Sequence, residues 1–232
     1  MTGPRHSPSR LVQRHPDECF VTLSSLAARC AQVRGASRHL WQRPMSVSVT
    51  GDLQLLVDDE AAMPFTDWAF GQLCRLMKLD KQVMNRLTKR MASQILQRMW
   101  PQTTRPWEIL VACDRVRDIC GFSYSRLWNA EVLNVLREFE SHWEPPPAKD
   151  LSCGLFYGEQ DLFCFLIEPD QWIEFDGQAF APGVVISNSE VGRRPLRMQA
   201  FWFQAVEHIT CCSIPSSRAR LSAGMPERSG KD

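Results

Sequence analysis

Residues 154–167 read GLFYGEQDLFCFLI, and residues 183–192 read GVVISNSEVG. Apolar residues flank Gly158-Glu159-Gln160-Asp161, which predicts two strands, 151–157 and 162–167, joined through that polar link. Residues 162–167 are apolar throughout, so the second strand is expected to be covered on both faces. Trp172–Phe175, the turn Asp176-Gly177 and Val184–Ile186 continue the sheet. A sheet made of antiparallel hairpins therefore dominates the second half of the chain.

Asn188, Ser189 and Glu190 directly follow a strand that reads as buried, and Arg193, Arg194 and Arg197 come just after them. Two readings stand for this polar loop. It contacts phosphates or bases, with the arginines as bidentate donors, or it is turn chemistry in which Glu190 pairs locally with Arg193 or Arg194. Residues 196–206 fit a strand or a helix, and strand is the assignment taken.

Toward the N-terminus the period changes. Phe20, Leu23, Leu26, Ala27 and Cys30 recur at helical spacing, predicting a helix over 22–33 with Thr22 or Ser24 as cap. Alternation over 45–50 and 53–57 around Gly51-Asp52 predicts a hairpin, and the acids Asp58, Asp59 and Glu60 follow as a solvated loop. Residues 64–79 and 81–99 predict two amphipathic helices. On the second, Met84, Leu87, Met91, Ile95 and Met99 share one face, with Arg86, Lys89 and Arg90 opposite. Residues 107–113 read as a buried strand, and a helix follows with Asn129 as its N-cap, ending before the triple proline at 145–147.

The fold class expected is α+β: a mainly antiparallel sheet from the hairpins at 45–57 and 151–187, with amphipathic helices packed on one face. The predicted organisation is a disordered N-terminal tail over 1–16, a single domain over 17–212 and a disordered C-terminal tail over 213–232.

The formal net charge of +1 conceals three unequal blocks: residues 1–110 carry 15 basic and 9 acidic side chains, 111–190 carry 5 and 14, and 191–232 carry 7 and 3. Such blocks fit a polyanion-binding face, or parts of one protein that attract each other. The steepest local excess lies between Arg75 and Arg105, where eight basic residues accompany one acid, Asp80.

The nine cysteines include no Cys-x-x-Cys pair, so neither a zinc site nor a disulfide framework is predicted. No metal or cofactor is expected. There is no run of eighteen apolar residues and no secretory leader, which predicts a cytoplasmic protein without membrane contact. A nuclease would need two or more of Glu159, Asp161, Glu168, Asp170, Glu174 and Asp176 to converge on magnesium. Acids at hairpin ends are more often solvated, and neither a nucleophile elbow nor a phosphate-binding glycine loop is present, so catalysis is the minority reading.

Four segments, FTDWAFGQLC (65–74), YSRLWNAEV (124–132), GLFYGEQDLF (154–163) and NSEVG (188–192), occur in an order that resembles the phage/plasmid-like domain of unknown function 932. The likeness covers residues 17–207. It implies a phage, plasmid or other mobile-element context, with no established reaction or catalytic residue. It also implies a further segment after the last strand, where this chain passes from His208-Ile-Thr-Cys-Cys212 into a short polar tail, so the resemblance reads as a copy truncated at its C-terminus.

Three functions follow as expectations. The first is binding of DNA or RNA, single-stranded in particular, by Arg86, Lys89, Arg90, Arg193, Arg194 and Arg197. The second is a protein-interaction or regulatory module, with homo-oligomerisation among its forms. The third is a metal-dependent nuclease.

Overall fold

The three-dimensional structure is a computed structural model and describes residues 15–58, 61–121, 123–138, 142–147 and 154–205. Residues 1–14 of the predicted N-terminal tail, the whole predicted C-terminal tail, Asp59, Glu60 and the opening of the strand predicted at 151–157 lie outside the described residues.

Among the described residues, a 3-10 turn (Pro16–Glu18) leads into strand β1 (Cys19–Phe20) and helix α1 (Leu23–Gly35). Thr22 caps α1: its hydroxyl accepts the Ser25 N–H at 3.1 Å, and Ser25 Oγ accepts the Thr22 N–H in return. Next come strands β2 (Ser37–Gln42), β3 (Val47–Val49), β4 (Gln54–Val57) and β5 (Met63–Pro64), then helix α2 (Asp67–Leu76) capped by Thr66.

The single helix predicted over 81–99 is two, α3 (Lys81–Asn85) and α4 (Lys89–Arg98). Thr88 is extended and its side chain accepts the Met91 N–H, so the chain stops one helix and starts another. The break changes the helical phase. Ala92, Ser93 and Leu96 now face the core, and Met91, placed by the sequence pattern on the apolar face, is 51% exposed.

Strands β6 (Trp107–Ala112) and β7 (Arg115–Gly121) form a hairpin, and helix α5 (Asn129–Glu138) follows. The closing strands are β8 (Leu155–Tyr157), β9 (Leu162–Ile167), β10 (Ile173–Phe175), β11 (Gln178–Asn188) and β12 (Arg197–Ala205).

These strands form antiparallel sheets, as expected of an α+β fold, but the two predicted hairpins do not share one. A six-stranded sheet has the order β1-β8-β9-β11-β10, with β12 on the other side of β11; β2-β6-β7 and β3-β4-β5 form separate three-stranded sheets. The early hairpin stands apart because its outer strand is closed by a helix. Ser93 Oγ donates to Thr50 O at 2.6 Å and Gln97 Nε2 to Val49 O at 2.8 Å, both from α4. A parallel bridge, Phe65 with Val116, joins this small sheet to β7.

Side-chain alternation divides the interior. One core lies between the two three-stranded sheets and α2, α3 and α4. A second packs Leu26, Ala27 and Cys30 of α1 and Ala130, Val132 and Leu133 of α5 on Leu155, Leu162, Cys164, Leu166 and Ile186. Residues one position along, Phe165, Ile167, Val185 and Phe201, fill the reverse face of the large sheet. Each fully buried leucine contributes roughly 1.5–3 kcal/mol by its removal from water.

Candidate functional site

Where the two cores meet, the fold encloses charge. Glu108 on β6, Asp118 on β7 and Glu190 after β11 are all buried, and so is Arg117. Arg126, in the loop before α5, is also buried, its side chain only 3% exposed. Three carboxylates therefore share a water-poor seam with two guanidiniums. Burial at this cost is tolerated only where each charge finds partners.

Strand register explains how they converge. Glu108 pairs with Cys120, and Leu110 with Asp118, so Glu108, Asp118 and Cys120 share one face of the β2-β6-β7 sheet, where all three meet Arg126. Beyond Leu110 the register shifts, Val111 pairs with Val116, and Arg117 is left as the extra residue. This β-bulge re-aims the Arg117 side chain. It reaches the six-stranded sheet, donating to Glu159 O at 2.8 Å and to Glu190 Oε2 at 3.5 Å.

Arg126 occupies the middle. Its Nη2 donates to Asp118 Oδ2 at 2.7 Å and to Glu108 Oε1 at 3.1 Å, and its Nη1 donates to the Glu190 carbonyl. One guanidinium thus stands where a cation shared by two carboxylates would stand. Burial alone would make Arg126 easier to deprotonate, but Asp118 and Glu108 outweigh it and hold its pKa above the ordinary arginine value. At the rim, His39 Nδ1 lies 2.8 Å from Glu108 Oε1, and its ring lies 5.0 Å from that of Trp128.

The predicted polar loop turns inward. Asn188 Nδ2 donates to Leu127 O and to Asn129 Oδ1, both at 2.9 Å, and Ser189 Oγ donates to Gln160 O at 2.6 Å. Glu190 is 2% exposed and does not pair locally with Arg193 or Arg194. Its Oε1 accepts the Asn129 N–H at 2.9 Å, so the first turn of α5 is capped by a carboxylate from across the fold and not by Asn129 itself. Helix α2 clasps the same loop: Trp68 Nε1 donates to Val191 O at 2.7 Å, and Gln72 bridges Val191 O, Asp118 and the Ile119 N–H.

Thiols and phenols in and beside the seam are held protonated. Burial, then Asp118 and Glu108, push the Cys120 thiol far up. Burial, then Glu190, raise Cys30 to about 12, and burial likewise raises Tyr124 to about 12 against the pull of Arg126. A protonated thiol is not a nucleophile, so the seam holds no activated cysteine. Among the described residues no group of three or more His, Cys, Asp or Glu is placed to hold a metal ion. The seam's geometry is that of a joint that locks the two cores in register.

The remaining predicted residues separate. Arg193 donates to Gln160 Oε1 at 2.7 Å, and both it and Arg194 reach Asp161, with Arg194 stacked 4.6 Å above Phe163. Arg197 is exposed at the start of β12. Arg86, Lys89 and Arg90 are exposed at the α3–α4 junction, and among the described residues none of the three forms an ion pair, so they do not close on the acidic middle of the chain. The candidate metal-binding acids are dispersed as well. Glu159 pairs with Arg115 and Asp161 with Arg193 and Arg194, whereas Glu168, Asp170, Glu174 and Asp176 belong to the opposite end of the sheet.

Reading the sequence missed Glu108, Asp118 and Gln72. A signal for two of them existed: an acid inside an apolar strand such as WEILVAC can be buried only with a partner. No family model, no curated protein and no solved structure matches this chain. Among the described residues no helix is long and apolar enough to cross a membrane.

Proposed function

We propose that this is a cytoplasmic mobile-element protein, of the phage/plasmid-like kind it resembles, that binds single-stranded nucleic acid through the α3–α4 surface. One observation carries the reading: Arg86, Lys89 and Arg90 are exposed and, among the described residues, without an acidic partner, while the other arginines singled out in the sequence, Arg197 apart, are held by Asp161. Lys89 and Arg90 also sit in the first turn of α4, where the helix dipole disfavours cations and an anionic ligand would relieve the repulsion. Val83 and Met91, both exposed beside them, offer apolar surface to unstacked bases.

Three phosphate contacts imply that log affinity falls with log salt at a slope of about −2 for a single strand and about −3 for duplex. Titration with labelled single- and double-stranded DNA and RNA across salt concentrations measures it, and reversing all three charges to glutamate should abolish most of the salt-dependent binding. Negligible affinity at low salt, or binding indifferent to those charges, defeats the proposal. A second reading, a protein-interaction module, is supported by a different feature, the open outer edge of β12.

A further inference from the structure

Among the described residues, β12 is the longest strand edge left uncovered. It pairs with β11 over nine consecutive positions, Ala179 with Ala205 through Ser187 with Arg197, without a shift in register, and among the described residues it pairs with nothing else. One row of its main-chain N–H and C=O groups therefore has no strand partner among the described residues. Proteins guard such edges with charges, proline, bulges or short length. β12 reads RMQAFWFQA, so its one charge is at the first position and it has neither proline nor bulge.

The face beside this edge is apolar and exposed. Register puts Met198, Ala200 and Trp202 on the same side as Ile186 and Pro182, and puts Ile173 and Phe175 of β10 on that side too. Helices α1 and α5 cover this side only around Leu155, Leu162, Cys164, Leu166 and Ile186. Farther out, Met198 is 67% exposed and Phe175 73%.

Charge at the two ends of the strand says what could cover it. The end where β12 begins carries the exposed Arg197, with Arg193 and Arg194 beyond it held at Asp161. The other end, where Ala205 pairs with Ala179 and Ala179 with Glu174, carries Glu168, Asp170, Glu174 and Asp176. An antiparallel second copy brings each arginine end against the other copy's acidic end, twice, by symmetry. A parallel copy sets like charges together.

We propose that the protein forms a two-fold homodimer in which β12 pairs antiparallel with β12 of a second copy, joining the two six-stranded sheets into one. The contact is isologous, so it closes at two chains. It involves none of the α3–α4 cations and therefore stands apart from the nucleic-acid reading.

Sedimentation velocity on the full chain over a concentration series tests it, with twice 26.6 kDa as the expected mass. Met198→Lys, at an exposed side chain, should raise the dimer dissociation constant at least about tenfold while leaving the far-UV spectrum and melting temperature unchanged. Arg197→Glu and Glu174→Arg should each weaken association, and their combination should restore it, a rescue that a merely structural role does not give. Hydrogen exchange of the amides of 197–205 should slow as the dimer forms. A chain of 26.6 kDa at every concentration overturns the proposal, as does a dimer indifferent to Met198→Lys and Arg197→Glu. Equal protection, in monomer and dimer, of the outward β12 amides that do not bond to β11 also overturns it, since another segment would then occupy the edge.

Discussion

If the seam is a joint, its weak point is the pair formed by Glu190 and Arg117. Glu190→Gln keeps the side-chain volume and the oxygen that accepts the Asn129 N–H, but removes the charge 3.5 Å from Arg117 Nη1. Breaking a buried ion pair by deleting one partner costs about 3–5 kcal/mol when the remaining charge is uncompensated. Here the contact is long, and Arg117 keeps its bond to the Glu159 carbonyl, so about 2–3 kcal/mol is expected. Arg117→Met leaves Glu190 facing the N-terminus of α5, which favours a negative charge, and should cost less, about 1–2 kcal/mol. In the double variant neither charge is stranded. Its cost should therefore fall short of the sum of the single costs by about 1–2 kcal/mol. Urea unfolding at neutral pH, followed by the fluorescence of the eight tryptophans, reads all three. Strict additivity, or a Glu190→Gln cost below about 0.5 kcal/mol, means that the two charges do not support one another across the seam.

Alkaline pH should loosen the fold before it acts on anything else. The folded state holds Cys30 at about 12, up from 9.0, and Tyr124 at about 12, up from 10.0, so both contribute stability below those ordinary values. As pH rises past 9 the unfolded chain releases the Cys30 proton first, and past 10 that of Tyr124 as well, and stability should fall by about 1.4 kcal/mol per pH unit for each group from its ordinary value until the folded pKa is passed. Denaturation at pH 8 and pH 10 checks the sign, and Cys30→Ala should flatten the slope. Gly183→Ala should destabilise by about 1–3 kcal/mol, since a Cβ there would lie 2.6 Å from the Phe201 ring and 2.9 Å from the Leu166 carbonyl oxygen; a melting temperature within a degree of the parent contradicts it. Cys113 and Asp114, at φ 51° and 54° in the two-residue turn between β6 and β7, occupy positions suited to Asn-Gly. Cys113→Asn with Asp114→Gly should stabilise by about 0.5–1 kcal/mol, visible as a melting temperature higher by about 1–4 °C.

Much of the fold could be read from local pattern. The Thr22 cap, the 51–52 turn and the β8–β9 hairpin each depend on residues within a few positions of one another, and each lies where its spacing put it. Two errors have one cause. The phase of α4 depends on Thr88 taking an extended conformation, and the separation of the two hairpins depends on α4 closing β3 through Ser93 and Gln97. Both are decided by packing between distant segments, and a hydrophobic period computed along one segment carries no trace of them. The loop Asn188-Ser189-Glu190 was visible as unusual, but its direction was not. Its partners Asn129, Arg117, Gln160 and Leu127 lie 28 or more positions away, and the bulge that aims Arg117 is a property of two paired strands.

That inward turn also changes which charges are open to a ligand. A buried charge must be matched, so the fold consumes Arg117, Arg126 and Glu190 on one another and on Glu108 and Asp118. Asp161 then draws Arg193 and Arg194 toward the sheet. Basic charge alone groups these arginines with Arg86, Lys89 and Arg90, but solvation divides them. Exposed cations without acids gain little from their own fold and retain their full capacity for an external anion, whereas paired ones must first give up a contact. Charge reversal at Arg86, Lys89 and Arg90 should therefore remove binding without loss of stability, and reversal at Arg194 should do the opposite, lowering the melting temperature while leaving the salt slope of binding within experimental error of the parent. Measuring both quantities on both variants separates a ligand-binding surface from a structural one, and equal effects of the two variants on binding would show that the division drawn from solvation is mistaken.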